Sequence, residues 1–514
     1  MKKILFLCVI SGFSIFLSAA GEKQLPPLLK GPYLQFNQKP SKGTIVICWE
    51  TRDQTEGIVE YSVKGNEKEK EKTSDGKKDT RHEVSIAGLK PGTTYTYRIS
   101  GGVSEDGSFS IPAPDKEKFR FVAIGDPREY DKTTEKLVKL IIEEKPDFVI
   151  GTGDYVSTGQ SKIAWQDCFT MFHDLFKNVP FFPSLGDHDL SDEGRGAEDY
   201  CNYFVLPGDE LDYTFNWGKS HFIAIDITWD SICKPSTKQY QWLEKDLEIS
   251  KNSDFVFMYY HLPAYTAGAH RQIDTLKRAQ RLFPLYTRLG GDFSFAGHDH
   301  NYQHWQAEEI THIVTGGLTQ EILYDINEKE KAYWENKGYL KKAVKKPSYV
   351  VVDITPEKAI FSAKGLDGVF EKFEIPKKPL PRETGNLKDG KKEGVWSTYY
   401  QNDKILAEIT YKNGVKDGKY TCYYQRGQKW EEGLYNNGLV EGKWSSWYPD
   451  GKLKEECYYT AGKLNGEQWY YNLSGKKQEL QIFKDNMEDG EWIDYKEDGG
   501  IAGKYKFKDG EKIK

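Results

Sequence analysis

Cysteine is scarce in this chain, with seven among 514 residues. Thiols spread this thinly cannot form the dense disulfide framework that holds a small secreted fold together. No CxxC pair occurs, so a thiolate zinc site of the usual spacing is excluded. Pairing among Cys168, Cys201 and Cys233 is left open. Long apolar runs are missing too. Only residues 4–17 form one, and they fall short of the about 20 residues a membrane span needs. Basic charge is not in excess: 72 Lys and Arg stand against 78 Asp and Glu, for a net charge of −6. A general nucleic-acid binder presents a basic face, so no nucleic acid is expected as a partner.

What is present begins with that first apolar run. Lys2 and Lys3 precede it, and the small residues Ser18, Ala19 and Ala20 follow it before Gly21. This is the layout of an export signal spanning residues 1–20, cleaved after Ala20. Cys8 lies too early to be a lipoprotein cysteine. The mature chain is therefore expected outside the cytoplasm, as a periplasmic, secreted or surface-associated protein.

The length exceeds one ordinary core and predicts about three or four domains. Residues 28–113 read as short strands separated by turns: GTIVICWET, GIVEYSV, RHEVSIAGL, then LKPGTTYTYRIS. That pattern predicts a β-sandwich. The charge run GNEKEKEKTSDGKKDT reads as a solvated hairpin loop, and IPAPDKEK as a linker. Residues 118–375 alternate buried strands such as FRFVAIG and DFVIGTG with amphipathic stretches such as TTEKLVKLIIEEKP and QYQWLEKDLEIS. This predicts an α/β domain. Residues 387–514 are a repeat. Leu387, Tyr411, Tyr435, Tyr459, Phe483 and Phe507 recur every 24 residues, with Gly394, Gly418, Gly442, Gly466 and Gly490 in step. Each unit reads as one β-hairpin stacked on the next.

Chemistry collects where the buried strands of the middle region end. Asp126 follows FRFVAIG, and Asp154 follows DFVIGTG. Asp187 and His188 follow VPFFPSLG, His261 follows DFVFMYY, and His298 and His300 follow FSFAG. In open α/β sheets ligands gather at the carboxyl ends of the strands. Carboxylates and imidazoles are hard-to-borderline metal ligands. Six of them exceed what one cation takes while leaving room for water. Two cations about 3.5–4 Å apart, bridged by a carboxylate, fit better. Such a pair acidifies a bound water for in-line attack on phosphorus and clamps the phosphoryl oxygens. His173, His221, His304, His312 and His82 lie in ordinary strand or helix contexts and read as structural.

The series GDPRE, GTGDYVS, SLGDHD, YYHLPAY and FAGHDHNY resembles the calcineurin-like metallophosphoesterases, and the front domain is similar to the N-terminal sandwich of the purple acid phosphatases. The resemblance covers residues 28–375. It implies a fibronectin III-like sandwich, then an α/β domain in which a sandwich of sheets is flanked by helices. It implies hydrolysis of phosphate monoesters, with phosphodiesters or nucleotides as the alternative substrates, and two iron, manganese or zinc ions, divalent or of mixed valence. Asp126 and His300 would hold the first metal, Asp154 would bridge, and Asp187, His261 and His298 would hold the second. His188 would stabilise the transition state or protonate the leaving oxygen, and His270, in YTAGAH, would face the substrate. Three positions depart from the family. Arg128 stands where a histidine or glycine is usual, either gripping phosphate or paired at the surface. Ser157 replaces the tyrosine three places after the bridging aspartate, so no purple colour is expected. Asp187 replaces an asparagine. The tail resembles MORN-type repeats, whose aromatics form the array's own core or contact a protein, glycan or lipid surface. In the rival reading the departures weaken catalysis and the repeats carry the function by binding.

Overall fold

A computed structural model describes residues 27–191, 196–228, 234–270, 278–496 and 498–513. The signal-like segment 1–20 and Cys233 lie outside these. The two β stretches GTIVICWET and GIVEYSV are one bent strand, Ile45–Val63. Its first half pairs with Leu28–Gln35, and its second half with Thr94–Ser100. Nothing in the intervening RDQTE forces a turn, and a register shift between Glu50 and Thr55 absorbs the bend. The charge run is not a loop over most of its length. Glu71–Ile86 is a strand hydrogen-bonded along Ile45–Val63. Backbone pairing there needs no apolar side chains, and the lysines and glutamates point outward.

Two sheets stack face to face in the middle domain. One runs in the order 368–376, 358–365, 349–354, 119–124, 148–151, 181–183. The other runs 340–344, 302–307, 310–315, 293–296, 256–259, 220–224, 213–217. Both are parallel where the candidate ligands emerge. Phenylalanines seal the layers: the Phe121 ring meets Phe222 and Phe257 at 5.3 Å and Phe295 at 6.0 Å. Strands buried on both faces are apolar throughout, so their polar residues appear only at the ends. Asp131 caps the helix Lys132–Glu143, its side chain accepting from the Thr133 and Thr134 N–H groups.

The repeats form one continuous antiparallel sheet from Arg382–Lys388 to Glu511–Ile513. Successive units are tied by tyrosine hydroxyls. Tyr400 donates to the Tyr423 carbonyl at 2.8 Å, Tyr424 to Trp447 and Tyr448 to Tyr471 at 2.7 Å each. The inward aromatics are not a core of the array alone. Tyr420, Tyr435, Trp444, Tyr459 and Phe483 share one buried cluster with Tyr240, Leu243 and Leu247 of the helix Lys238–Ile249 and with Phe283 and Leu285 of the helix Phe283–Arg288. A single sheet has two faces, and this one buries a face on the neighbouring domain instead of closing on itself. Charges in the junction are paired: half-buried Glu244 accepts from buried Arg288 at 2.7 Å and from Lys416 at 2.6 Å. Those two cations hold the Glu244 carboxyl down at about 2 against the upward push of burial. Cys168 and Cys201 are both free thiols, so the disulfide left open between them does not form.

Candidate metal centre

The six-stranded sheet delivers Asp126, Asp154 and Asp187, and the seven-stranded sheet delivers His261, His298 and His300. They fall into two triads, Asp126–Asp154–His300 and Asp187–His261–His298. Within each triad the donor atoms lie within 4.8 Å of one another. Three of the six have left-handed backbone, with φ of 49° at Asp126, 60° at Asp154 and 66° at His298. Such conformations cost a non-glycine residue about 1–3 kcal/mol and persist where function requires the aim they give a side chain. Glycine is obligatory alongside. A Cβ on Gly186 would lie 2.2 Å from the Asp154 nitrogen, and one on Gly297 2.4 Å from Asp126 Oδ2.

Backbone carbonyls fix the imidazoles. His261 Nδ1 donates to the Thr152 carbonyl at 2.8 Å and His300 Nδ1 to the Ile322 carbonyl at 2.7 Å. Each bond leaves Nε2 as the lone-pair donor, the arrangement that metal-binding histidines adopt. His261 Nε2 lies 2.7 Å from Asp187 Oδ1 and 3.3 Å from Asp154 Oδ1. His298 Nδ1 lies 3.2 Å from Asp187 Oδ1, and His300 Nε2 3.3 Å from Asp126 Oδ1. Asp154 is 1% exposed, and burial raises its carboxyl above the ordinary range. Its Oδ1 accepts from the His188 N–H at 2.9 Å, but its Oδ2 is buried with no hydrogen-bond partner. Arg128 Nε, 3.4 Å from that oxygen, is one cation beside three clustered carboxylates, those of Asp126, Asp154 and Asp187, and buried carboxylates are costly unless cations meet them. The donor set therefore fits two metal ions.

The remaining predicted residues ring this cluster. His188 Nδ1 donates to the Ser157 carbonyl at 2.9 Å, which leaves Nε2 available. His270 packs its ring 4.0 Å from that of His298 and is held by Asp299, whose Oδ1 lies 3.0 Å from Nδ1. That hydrogen bond raises His270 above the ordinary histidine value. Arg128 is not a surface pair. Its Nε lies 3.4 Å from Asp154 Oδ2, and its side chain is 13% exposed. Ser157 does not face the metals with its hydroxyl, which donates to Glu129 Oε1 at 2.5 Å. A cleft of about 680 Å³ opens beside Arg128 and Ser157.

Sequence reading passed over three residues here. Asp189 is buried and accepts from the backbone N–H groups of Asp154, Tyr155, Val156 and Gly186. The second aspartate of GDHD was its only trace. Asp299, between the two histidines of GHDH, orients His270. Tyr324 stacks on His300 at 4.1 Å with an 11° interplanar angle, and nothing in EILYDIN announces it. Replacing Asp189 by Ala strands four buried or partly buried donors. It is expected to lower the melting temperature by several degrees and weaken metal retention about 10–100-fold. Competitive chelation and thermal denaturation measure the two effects, and wild-type values for both would show Asp189 to be dispensable.

Two stacked sheets with paired Asp and His triads at their rim define a metallophosphoesterase-type site. Residues 119–302 match the calcineurin-like phosphoesterase family, residues 30–114 the purple acid phosphatase N-terminal domain, and residues 392–413, 416–437 and 440–461 the MORN repeat variant. Among characterised sequences the chain is similar to "Purple acid phosphatase 15" of Arabidopsis thaliana, 27% identical over 266 residues that cover 43% of this chain and 49% of that protein. It is also similar to "Probable purple acid phosphatase 20" of the same plant, 27% identical over 239 residues, covering 43% and 55%. Among solved structures, the purple acid phosphatase PPD1 of yellow lupin (Lupinus luteus) seeds shares the fold with a TM-score of 0.57 at 17% identity, covering 68% of this chain and 74% of that one. PhoD does so at 0.51 and 13%, covering 76% and 94%. The chain thus carries a calcineurin-like phosphoesterase domain, preceded by a purple acid phosphatase N-terminal domain and followed by MORN-variant repeats. It spans about half the length of the curated relatives it matches.

Proposed function

We propose that this protein is an exported phosphoesterase that binds two metal ions, iron, manganese or zinc, and hydrolyses phosphate monoesters. The observation that carries the reading is the pair of Asp and His donor triads at the sheet rim, with Asp154 of one triad buried and 3.3 Å from His261 of the other. Asp126, His300 and Asp154 would hold one ion and Asp187, His261 and His298 the other, with Asp154 placed to be shared. Bound there, the ions would supply an activated water and charge neutralisation for the phosphoryl group. The protein's own groups do the rest. Arg128 offsets the carboxylates and grips the phosphate. His188 carries a proton to the leaving oxygen through Nε2, its ring fixed by the Ser157 carbonyl. His270, fixed by Asp299, binds the ester from the other side. Three cationic or proton-bearing side chains around one phosphate suit a dianionic monoester better than a monoanionic diester.

The test is hydrolysis of p-nitrophenyl phosphate and of bis(p-nitrophenyl) phosphate by the chelated full chain after add-back of each metal, beside His298→Ala. Metal-restored monoester turnover lost in the variant supports the reading. Absence of turnover on both substrates with every metal would sink it and leave binding through the repeats. Export is tested by locating the chain in cell fractions and sequencing its N-terminus, with Gly21 expected first.

A further inference from the structure

The segment that brings His270 to the metal centre is gripped by the repeats. It leaves the rim at His261, and the described chain resumes at Arg278 before the helix Phe283–Arg288. Near the metals it is pinned by its own domain. Thr266 donates to Asp299, the Ala267 N–H to Gln303 Oε1 at 2.8 Å, and the His270 N–H to Asp299 Oδ1 at 3.0 Å. On the far side the pin comes from the repeats. The Ala264 carbonyl accepts from Gln280 Nε2 at 2.6 Å, and Gln280 Oε1 accepts from Lys454 Nζ at 2.6 Å. Lys454 lies on the repeat strand Leu453–Thr460 and is 6% exposed. Beside it Glu455 Oε2 lies 3.5 Å from Arg281 Nε, and Arg281 also donates to the Tyr470 hydroxyl.

We propose that the repeat array is a positioning element of the catalytic rim, acting through the relay Lys454–Gln280–Ala264 on the loop that sets His270. The proposal rests on the phosphoesterase reading of the site. The chemistry of the relay is directional. An ammonium group only donates, so Lys454 forces the carbonyl end of the Gln280 amide toward itself and the amide NH2 toward Ala264. Without that ammonium the amide is held from the Ala264 end alone, and Gln280 Oε1 loses its charged donor. Burial makes the relay stiff, because each of its polar groups is costly to leave unpaired. His270 is a substrate-side group, so a loosened loop weakens phosphate binding first and leaves the metal triads intact.

The test uses the full chain reconstituted with its preferred metal. Lys454→Met keeps the buried stem and removes the donor. Gln280→Glu keeps the acceptor for Lys454 and replaces the donor to Ala264 by a carboxylate oxygen that repels its carbonyl. Both are expected to raise KM for p-nitrophenyl phosphate and the calorimetric Kd for inorganic phosphate about tenfold. Metal content should be unchanged and kcat should move less than twofold. Lys454→Arg restores both constants, and Lys443→Met, at an exposed position of the same array, leaves them alone. Wild-type KM and phosphate affinity in Gln280→Glu would overturn the proposal, even if Lys454→Met fails to fold. A wild-type chain that neither turns over nor binds phosphate with any cation would instead overturn the phosphoesterase reading beneath it.

Discussion

Asp154→Asn should abolish most activity and halve the metal content. The carboxylate is buried at 1% exposure, takes the His188 N–H on Oδ1, and has Arg128 Nε 3.4 Å from Oδ2. An amide keeps the shape but loses the charge and one of the two oxygens, so it cannot bridge two cations. A loss of at least about 10³ in kcat/KM is expected, equivalent to about 4 kcal/mol of transition-state stabilisation. Metal analysis should fall from about two ions per chain to about one, since the triad Asp187–His261–His298 does not include the substituted residue. The same change should act in the opposite direction on the chelated protein. Burial opposes the charged form of Asp154, and neighbouring Asp187 and Asp126 add to that opposition, with His261 working against them. Removing the charge should therefore raise the melting temperature in excess chelator by a few degrees. Retained activity with two bound ions would show that Asp154 does not bridge. An unchanged melting temperature in chelator would show that its charge is already compensated by the protein.

Much of this site is legible in the amino-acid sequence, and the reason is physical. Parallel strands buried on both faces are apolar along their length, so a carboxylate or imidazole can stand only where the strand ends. FRFVAIG–Asp126, DFVIGTG–Asp154 and FSFAG–His298 therefore announce themselves. The aim of each side chain is not legible in the same way. Arg128 turns toward Asp154 through backbone that is left-handed at Asp126 and again at Glu129, with φ of 49° and 60°. Neither residue type signals such a conformation. Apart from the nearby Gly186 N–H, Asp189 and Asp299 act by accepting backbone or histidine N–H groups across 29–35 residues of chain, and no spacing rule reaches that far. The charge run 65–80 misleads for another reason. Exposed strands paired along an edge need only backbone partners, and solvation of their side chains looks the same in a strand as in a loop. The repeat period is plain, but the alternation of a hairpin tells only that one face is apolar. It does not name what covers that face.

That covering has the second large consequence. The array buries its aromatics on the helices Lys238–Ile249 and Phe283–Arg288, so it should be part of the enzyme's core and not an appendage. Trp444 belongs to that shared cluster. It is 5% exposed, stacks on Tyr420 at 5.2 Å, and meets Tyr435 edge-on at 5.8 Å. Gly433 leaves room for it, since a Cβ there would lie 2.0 Å from the indole. Truncating a buried tryptophan to alanine costs about 3–5 kcal/mol. Trp444→Ala is expected to shift the urea midpoint of the whole chain downward, and to do so for the middle domain as well as for the repeats. Ending the chain after residue 380 removes every repeat strand. It exposes Tyr240, Leu243 and Leu247 and leaves Glu244 with one cation in place of two. Insolubility, or a markedly lower melting temperature, is the expected result. Exposed apolar area of this kind is an aggregation surface. A truncated chain that stays monomeric and melts with the full-length middle domain would show the array to be thermodynamically separate. In that case deletion becomes a clean assay of what the repeats bind. With the array docked on the middle domain it is not, because deletion also uncovers the helices Lys238–Ile249 and Phe283–Arg288.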